Sequence, residues 1–209
     1  MTPIIRRAHL TDLPYAYDIC LRTAASGSDA AALFSDPYLV GQYYAAPYIV
    51  RDPGLCFIAE EDRVPKGYAV AAENTVAYET WLESEWLPPL RERYPLALLE
   101  SPPAETLSQN ERGLIRSVNA PHPDPSRANA PWMPDYPAHL HIDLLPALQG
   151  KGCGRLLMER LFSALAERGC PGVHLGVDGT NVNAIGFYGK LGFDKLEERD
   201  WGLILGRAL

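Results

Sequence analysis

The sequence predicts an α/β protein: a mixed sheet of about seven strands with helices on both faces. Three observations carry this. Short β-branched or alternating stretches recur at 3–8, 55–60, 67–72, 139–145, 173–177, 193–196 and 202–207, and helical patterns separate most of them. Residues 153–168 place Leu157, Leu161 and Leu165 at i, i+4 and i+8, widened by Met158 and Phe162, which marks an amphipathic helix laid on a sheet. The chain has 209 residues, 47% apolar and 22% charged, enough for one sizeable core. A single domain spanning 1–209 is expected.

The elements follow in order. After the first strand, Thr11, Asp12 and Pro14 give an N-cap residue, an acidic first turn and an early proline, and a helix through about Thr23 is expected. Residues 30–48 carry Phe34, Tyr38, Leu39, Tyr43 and Tyr44 broken by Pro37 and Pro47, the pattern of short helical pieces joined by turns. LCFIAE at 55–60 and GYAVAA at 67–72 flank a polar turn and read as a hairpin. Residues 74–137 differ in texture: eleven of the nineteen prolines fall there, after helical patterns on both sides of a Pro88-Pro89 kink. A second short helix is expected at 104–117, and 119–137 reads as a loop. We take 74–137 as a helical, Pro-rich insertion between strands three and four. HLHIDLL at 139–145 then alternates polar and apolar residues, so Leu140, Ile142 and Leu144 share one face and His139, His141 and Asp143 the other. Gly169 closes the amphipathic helix, a second helix is expected over 181–191, and the last two strands pair.

Charge excludes some classes. Nineteen basic against twenty-six acidic residues leave −7, which argues against a protein whose main work is binding nucleic-acid phosphates. No apolar run approaches a membrane span, and the start has no signal-peptide h-region. Cys20, Cys56, Cys153 and Cys170 are widely spaced without a CxxC, which fits free thiols in a reducing, cytoplasmic setting.

The chemistry concentrates in PALQGKGCGR at 146–155. A strand runs into alternating glycines and then a helix, whose N-terminal N–H groups and dipole favour an anion such as a diphosphate. A Walker A loop would need Gly-Lys-Ser/Thr, which is absent, and a dinucleotide fingerprint would need glycine where Arg155 stands. Gln149, Gly152 and Gly154 instead match a Q/R-x-x-G-x-G/A loop. On its own such a match is balanced by a plain tight turn.

The second feature is NVNAIGFYGKLGF at 181–193. With the glycine loop it resembles the motif pair of the GNAT superfamily of acetyl-CoA-dependent N-acetyltransferases, P-x-x-[QR]-G-x-G-x-G followed by N-x-x-A-x-x-[FL]-Y-x-K-x-G-F. The opening IRRAHLTDLPYAYDIC is similar to that family's first strand and helix. A narrower resemblance, to the C-terminal acetyltransferase-like domain of animal O-GlcNAcase, runs through 17–23, 85–94, 137–143 and 204–209, with Asp143 at the matching aspartate. The animal domain has a degraded diphosphate loop, whereas Gln149 to Arg155 is intact here, and a protein without a glycoside hydrolase part is expected. The chain therefore resembles a stand-alone bacterial relative.

The resemblance implies a GNAT-type sheet, acetyl-CoA as cosubstrate without metal, and an amine acceptor on a small molecule or a protein lysine. The diphosphate would sit on the N–H groups of Gln149, Gly150, Lys151, Gly152, Cys153, Gly154 and Arg155, with Lys151 and Arg155 adding charge. The pantetheine arm would pair with the main chain at Leu144 and Leu145, and the Leu145 N–H would stabilise the oxyanion. Asn181 would contact pantetheine or cap its helix, and Phe187 and Lys190 would meet the arm or the adenine end. Tyr188 has the position of the general acid that protonates the leaving thiolate. The ammonium form of the acceptor must lose a proton before it attacks. Asp143 is the favoured base, His141 the second, and a water chain or a purely structural carboxylate remain alternatives. Cys153 reads as a tolerated loop residue, and Trp81, Trp86 and Trp132 as packing of the insertion before pocket lining. Asp178 is a turn residue or an acceptor contact. Two rivals stay open: a coenzyme-A-binding or protein-recognition module with little catalysis, and an enzyme using the glycines as a mononucleotide cradle.

Overall fold

The computed structural model describes residues 3–100 and 106–209. Seven strands form one sheet in the order β1-β2-β3-β4-β5-β7-β6. They are β1 (Ile4–Arg7), β2 (Cys56–Glu61), β3 (Val64–Ala72), β4 (Ala138–Leu144), β5 (Gly172–Asp178), β6 (Asp194–Arg199) and β7 (Gly202–Ala208). Every neighbouring pair is antiparallel except β4 and β5, which run parallel. The tight β2–β3 turn holds Asp62 and Arg63 at positive φ.

Alternation along the strands sorts side chains to two faces. On one face Ile58, Tyr68 and Val70 pack under α1 (Leu13–Leu21), α2 (Leu39–Tyr44) and α3 (Ala46–Arg51). On the other, Phe57, Ala69, Leu140 and Val173 meet α8 (Cys153–Glu167) and α9 (Val182–Lys190). Leu157, Leu161 and Leu165 of α8 are fully buried there, and each contributes about 1.5–3 kcal/mol of burial. The first helix starts one turn later than its Thr11 signal: 10–12 form a 3-10 turn, and Asp12 rather than Thr11 precedes α1. The buried Asp12 carboxylate instead takes the Arg6 guanidinium at 2.7 Å.

Between β3 and β4 the chain forms α4 (Thr75–Trp81), α5 (Leu87–Arg93), α6 (Gln109–Asn119) and α7 (Pro125–Ala128). The break near the proline pair falls earlier than expected. Pro88 and Pro89 lie in the first turn of α5, and the irregular stretch is a π-helical turn over Leu82–Trp86. A proline ring collides with the carbonyl four residues back, here Ser84 and Glu85, which is where regular α geometry lapses. The helix expected at 104–117 is α6; residues 104 and 105 lie outside the described residues. Within 119–137, expected as a loop, Asp124 caps the short α7 through the Ser126 N–H at 2.9 Å. This segment is not an appendage: Leu87, Leu90, Leu114, Ile115 and Val118 join the same core as α1 to α3. Glu111, 3% exposed, binds the Ser35 hydroxyl at 2.7 Å and ties α6 to the loop before α2.

Candidate active site

The site forms where β4 and β5 part. Their ladder is confined to Ala138 opposite Val173 and His139 opposite His174. Beyond those pairs the strands diverge and leave a wedge edged by main chain. The other edge of β4 shows which groups face it. Leu145 N–H donates to the Lys66 carbonyl at 2.9 Å, continuing the β3–β4 register. Bonded residues alternate along an antiparallel ladder, so His141 and Asp143 also direct their main-chain groups at β3. Ile142 and Leu144 direct theirs into the wedge. The expected oxyanion donor is thereby corrected: Leu145 N–H is committed to the sheet, and Leu144 N–H faces the opening.

A cleft of about 840 Å³ extends from this wedge. Its floor at one end is the start of α8. Gly150 and Gly152 take positive φ, +70° and +79°, a region open to glycine and costly for other residues. Gly152 is the N-cap of α8, no side chain caps the helix, and its first N–H groups are left to the cleft. Gly154 is constrained by contact instead: a Cβ there would lie 3.1 Å from the Phe187 ring and 3.3 Å from Leu144. That closeness lets α8 and α9 converge at the wedge.

The expected residues distribute as follows. Gln149, Gly150, Gly152, Gly154, Arg155, Leu144, Asn181, Phe187, Tyr188, Lys190 and Asp143 all line the cleft. Lys151 does not; its ammonium lies 3.4 Å from Glu61, an anion already held by Lys66 at 2.7 Å. The charge expected from Lys151 is thus engaged at the end of β2. Cys153 is buried in the core at the first position of α8. Gln149 donates to the Leu144 carbonyl at 2.8 Å, and Arg155 pairs with Glu159 at 2.6 Å on the exposed side of the helix. Asn181 caps α9, accepting the Ala184 N–H at 3.0 Å.

Tyr188 and Asp143 face the same cleft from α9 and β4. Among the described residues the Tyr188 hydroxyl has no hydrogen-bond partner, and burial, reinforced by the Asp143 charge, pushes its pKa well up. Asp143 is pushed up by burial as well, and the hydroxyls of Tyr68 and Thr23 pull it back. A carboxyl raised toward neutrality is a stronger base, and a tyrosine held protonated is ready to donate.

The two histidines of β4 have other work. His139 is 6% exposed and both ring nitrogens are engaged, Nε2 with the Tyr48 hydroxyl at 2.7 Å and Nδ1 with Thr75 Oγ1 at 2.8 Å. Thr75 gives its own proton to the Pro137 carbonyl at 2.8 Å. It must therefore accept from His139, which fixes the neutral Nδ1–H tautomer with Tyr48 donating to Nε2. His141 packs edge-on against Tyr44 and Tyr48 and is pushed down to about 4 by burial and the Arg127 charge. It does not line the cleft. Asp178 binds the Thr180 hydroxyl and N–H at 2.6 and 2.7 Å, a turn residue at the cleft edge. Trp132 is buried and donates to Glu197 at 3.0 Å, and Trp86 to the Gln42 carbonyl at 2.8 Å, so both act in packing.

Other lining residues were not foreseen: Thr23, Ser26, Gly27 and Ser28 after α1, and Gly176 beneath Trp201. Ser26 and Gly27 share positive φ, but their polar, small sequence reads like any loop. Among the described residues no group of three His, Cys, Asp or Glu side chains is arranged to hold a metal ion, and no helix is long and apolar enough to cross a membrane.

Comparisons with known proteins agree with this geometry. Residues 122–193 match the family model described as the acetyltransferase (GNAT) family. The Sodalis glossinidius acetyltransferase SG1711 is 36% identical over 72 residues, which make up 34% of this chain and 49% of that protein. The chain thus spans about half the length of that curated relative. The crystal structure of SsHAT superposes with a TM-score of 0.87 at 34% identity, covering 100% of this chain and 98% of that one. The PaiA N-acetyltransferase of Thermoplasma acidophilum, solved in complex with coenzyme A, gives a TM-score of 0.59 at 15% identity with 100% of both chains covered, a likeness of fold.

Proposed function

Because this chain belongs to the GNAT family of acetyltransferases, we propose that it transfers acetyl from acetyl-CoA directly to a primary amine, with both substrates in the cleft together. The observation that carries this is the junction of an uncapped α8 N-terminus with the β4/β5 wedge, under Tyr188 and Asp143.

Each part has a physical role. The first N–H groups of α8, opened by the left-handed Gly152, suit the coenzyme diphosphate. Lys190 adds positive charge to the cleft, and Arg155 lines it while paired with Glu159. Ile142 and Leu144 offer the extended, amide-rich arm a strand edge, and Leu144 N–H would hold the oxyanion that develops on the thioester carbonyl. Asp143 draws the acceptor ammonium in and takes one of its protons. The freed amine attacks, the new C–N bond forms as the C–S bond breaks, and Tyr188 gives its proton to the departing sulfur. The products are the acetamide and coenzyme A thiol; the second proton shed by the nitrogen restores the Tyr188 phenol, and Asp143 returns its proton to solvent. The narrower kinship with the O-GlcNAcase acetyltransferase-like domain belongs to the same proposal, supported by the stretches quoted above and by Asp143.

Calorimetric titration with acetyl-CoA, with ATP and NAD as controls, tests the reading. We expect micromolar or tighter acetyl-CoA binding that is lost in Gly152→Glu. An amine panel of spermidine, glucosamine and a lysine-containing peptide then identifies turnover, which Tyr188→Phe lowers through kcat with little change in the acetyl-CoA KM. Absence of binding overturns the assignment; tight binding without turnover on any amine favours a coenzyme-A-binding module.

A further inference from the structure

We propose that Tyr68 is the positioning residue for Asp143: its phenol clamps one carboxylate oxygen and leaves the other for the incoming ammonium. This rests on the reading of Asp143 as the base.

The ladder itself makes the pair. Tyr68 stands directly opposite Asp143 in the β3–β4 register, so both side chains leave the sheet on the same face. The Tyr68 hydroxyl donates to Asp143 Oδ2. Tyr68 is fully buried in the core beneath α1, so its ring has no freedom to swing the donor away. The other nearby hydroxyl is differently engaged, since Thr23 gives its proton to the Ile19 carbonyl at 2.8 Å. Of the two hydroxyls that pull Asp143 down, Tyr68 is thus the larger influence and the one whose hydrogen bond to the carboxylate is formed in the structure.

The surroundings make this contact decisive. The titratable groups that bear on Asp143 are Tyr68 from β3, Cys20 from α1 and Tyr188 from α9. None is cationic, and no guanidinium or ammonium group acts on the carboxylate among the described residues. Burial favours its neutral form, and hydroxyl hydrogen bonds favour its charged form. A base on this strand therefore owes its ionised state to a hydrogen bond instead of an ion pair. That choice leaves no resident cation to compete with the substrate ammonium. The same bond fixes the carboxylate orientation toward the cleft, which a freely rotating aspartate would lack.

The test compares wild type with Tyr68→Phe, which removes one oxygen and keeps the ring. The Asp143 carboxyl carbon is titrated by NMR in the free protein, and the acid limb of kcat/KM is measured with whichever panel amine turns over. The midpoint of Asp143 should rise by roughly one pH unit, the scale expected for losing a hydrogen bond to a charged group. The acid limb should rise with it, while the acetyl-CoA Kd stays within about twofold. An unmoved Asp143 titration overturns the role of Tyr68. A shifted titration with an unmoved acid limb keeps the clamp and overturns Asp143 as base. Should Tyr68→Phe fail to fold, the wild type still decides: the Tyr68 hydroxyl proton should exchange slowly and move as Asp143 titrates, and a proton insensitive to that titration overturns the clamp.

Discussion

Mild acid should destabilise this protein through three histidines, two of them buried and the third partly open to solvent. His139, His141 and His174 cluster around the start of the β4–β5 ladder, with ring centroids 6.4 Å apart for His139 and His141 and 5.9 Å for His139 and His174. Burial, and then the positive charge of Arg127, lowers all three below the ordinary value, with His141 and His174 near about 4 and His139 well below 6.5. The His174 Nδ1–H donates to the Tyr136 carbonyl at 2.7 Å, and His139 is locked in its neutral tautomer. Above pH 6.5 these rings are neutral in both folded and unfolded chains. Below it the unfolded chain takes up protons that the fold refuses, so stability falls as pH falls toward the folded values. For His174, acidification from neutrality to pH 5 removes about 2 kcal/mol, and His139 adds a loss of the same sign. His141 is partly open to solvent and is discounted to about half of the His174 figure. His174 and His141 together, about 3 kcal/mol, are at least a fifth of the ~5–15 kcal/mol that holds a domain together. Urea unfolding followed by tryptophan fluorescence across this pH window measures the slope, and imidazole nitrogen NMR assigns it. Flat stability between pH 7 and pH 5, or a His139 ring that titrates near 6.5, refutes the reasoning.

Two further substitutions probe the frame around the site. Glu79→Ala removes the buried carboxylate that pairs with Arg127 and accepts the Asp124 N–H at 2.9 Å, leaving a half-buried guanidinium without its partner. It should cost about 3 kcal/mol in urea unfolding, with part of the loss recovered in the Glu79→Ala, Arg127→Met double variant. Gly202→Ala places a methyl group against the Val177 carbonyl and 2.7 Å from the Gly179 nitrogen. Both are backbone and cannot step aside, so we expect roughly 3 kcal/mol of destabilisation by thermal unfolding, with weaker acetyl-CoA binding because Val177 and Asp178 edge the cleft.

How much of this was legible depended on whether the signal was local. The α8 start was readable because glycines, a strand and a helical repeat sit within a dozen residues, and Gly150 and Gly152 do take positive φ. The two faces of β4 followed from period-two alternation. What alternation does not reveal is which main-chain edge bonds which neighbour, so Leu145 was named where Leu144 faces the wedge. Lys151 looked like a phosphate ligand because its competitor, Glu61, lies ninety residues away in sequence. His139 and His141 share the polar face of β4 with Asp143 in the sequence, yet are drawn away from the cleft by helices from 30–48 and 74–137, whose packing no local pattern encodes. Tyr68 was invisible for the same reason: its partner is set by strand register, seventy-five positions along the chain.

The wedge between β4 and β5 has a consequence for how this protein can be dissected. Its donors at Ile142 and Leu144 belong to the polypeptide itself. An alanine scan would therefore pass over them, reporting packing losses from Leu144 and nothing of the N–H beneath it. Replacing that one amide by an ester, through semisynthesis, deletes the donor and keeps every side chain. For this strand, the informative alphabet is the backbone's and not the genetic code's.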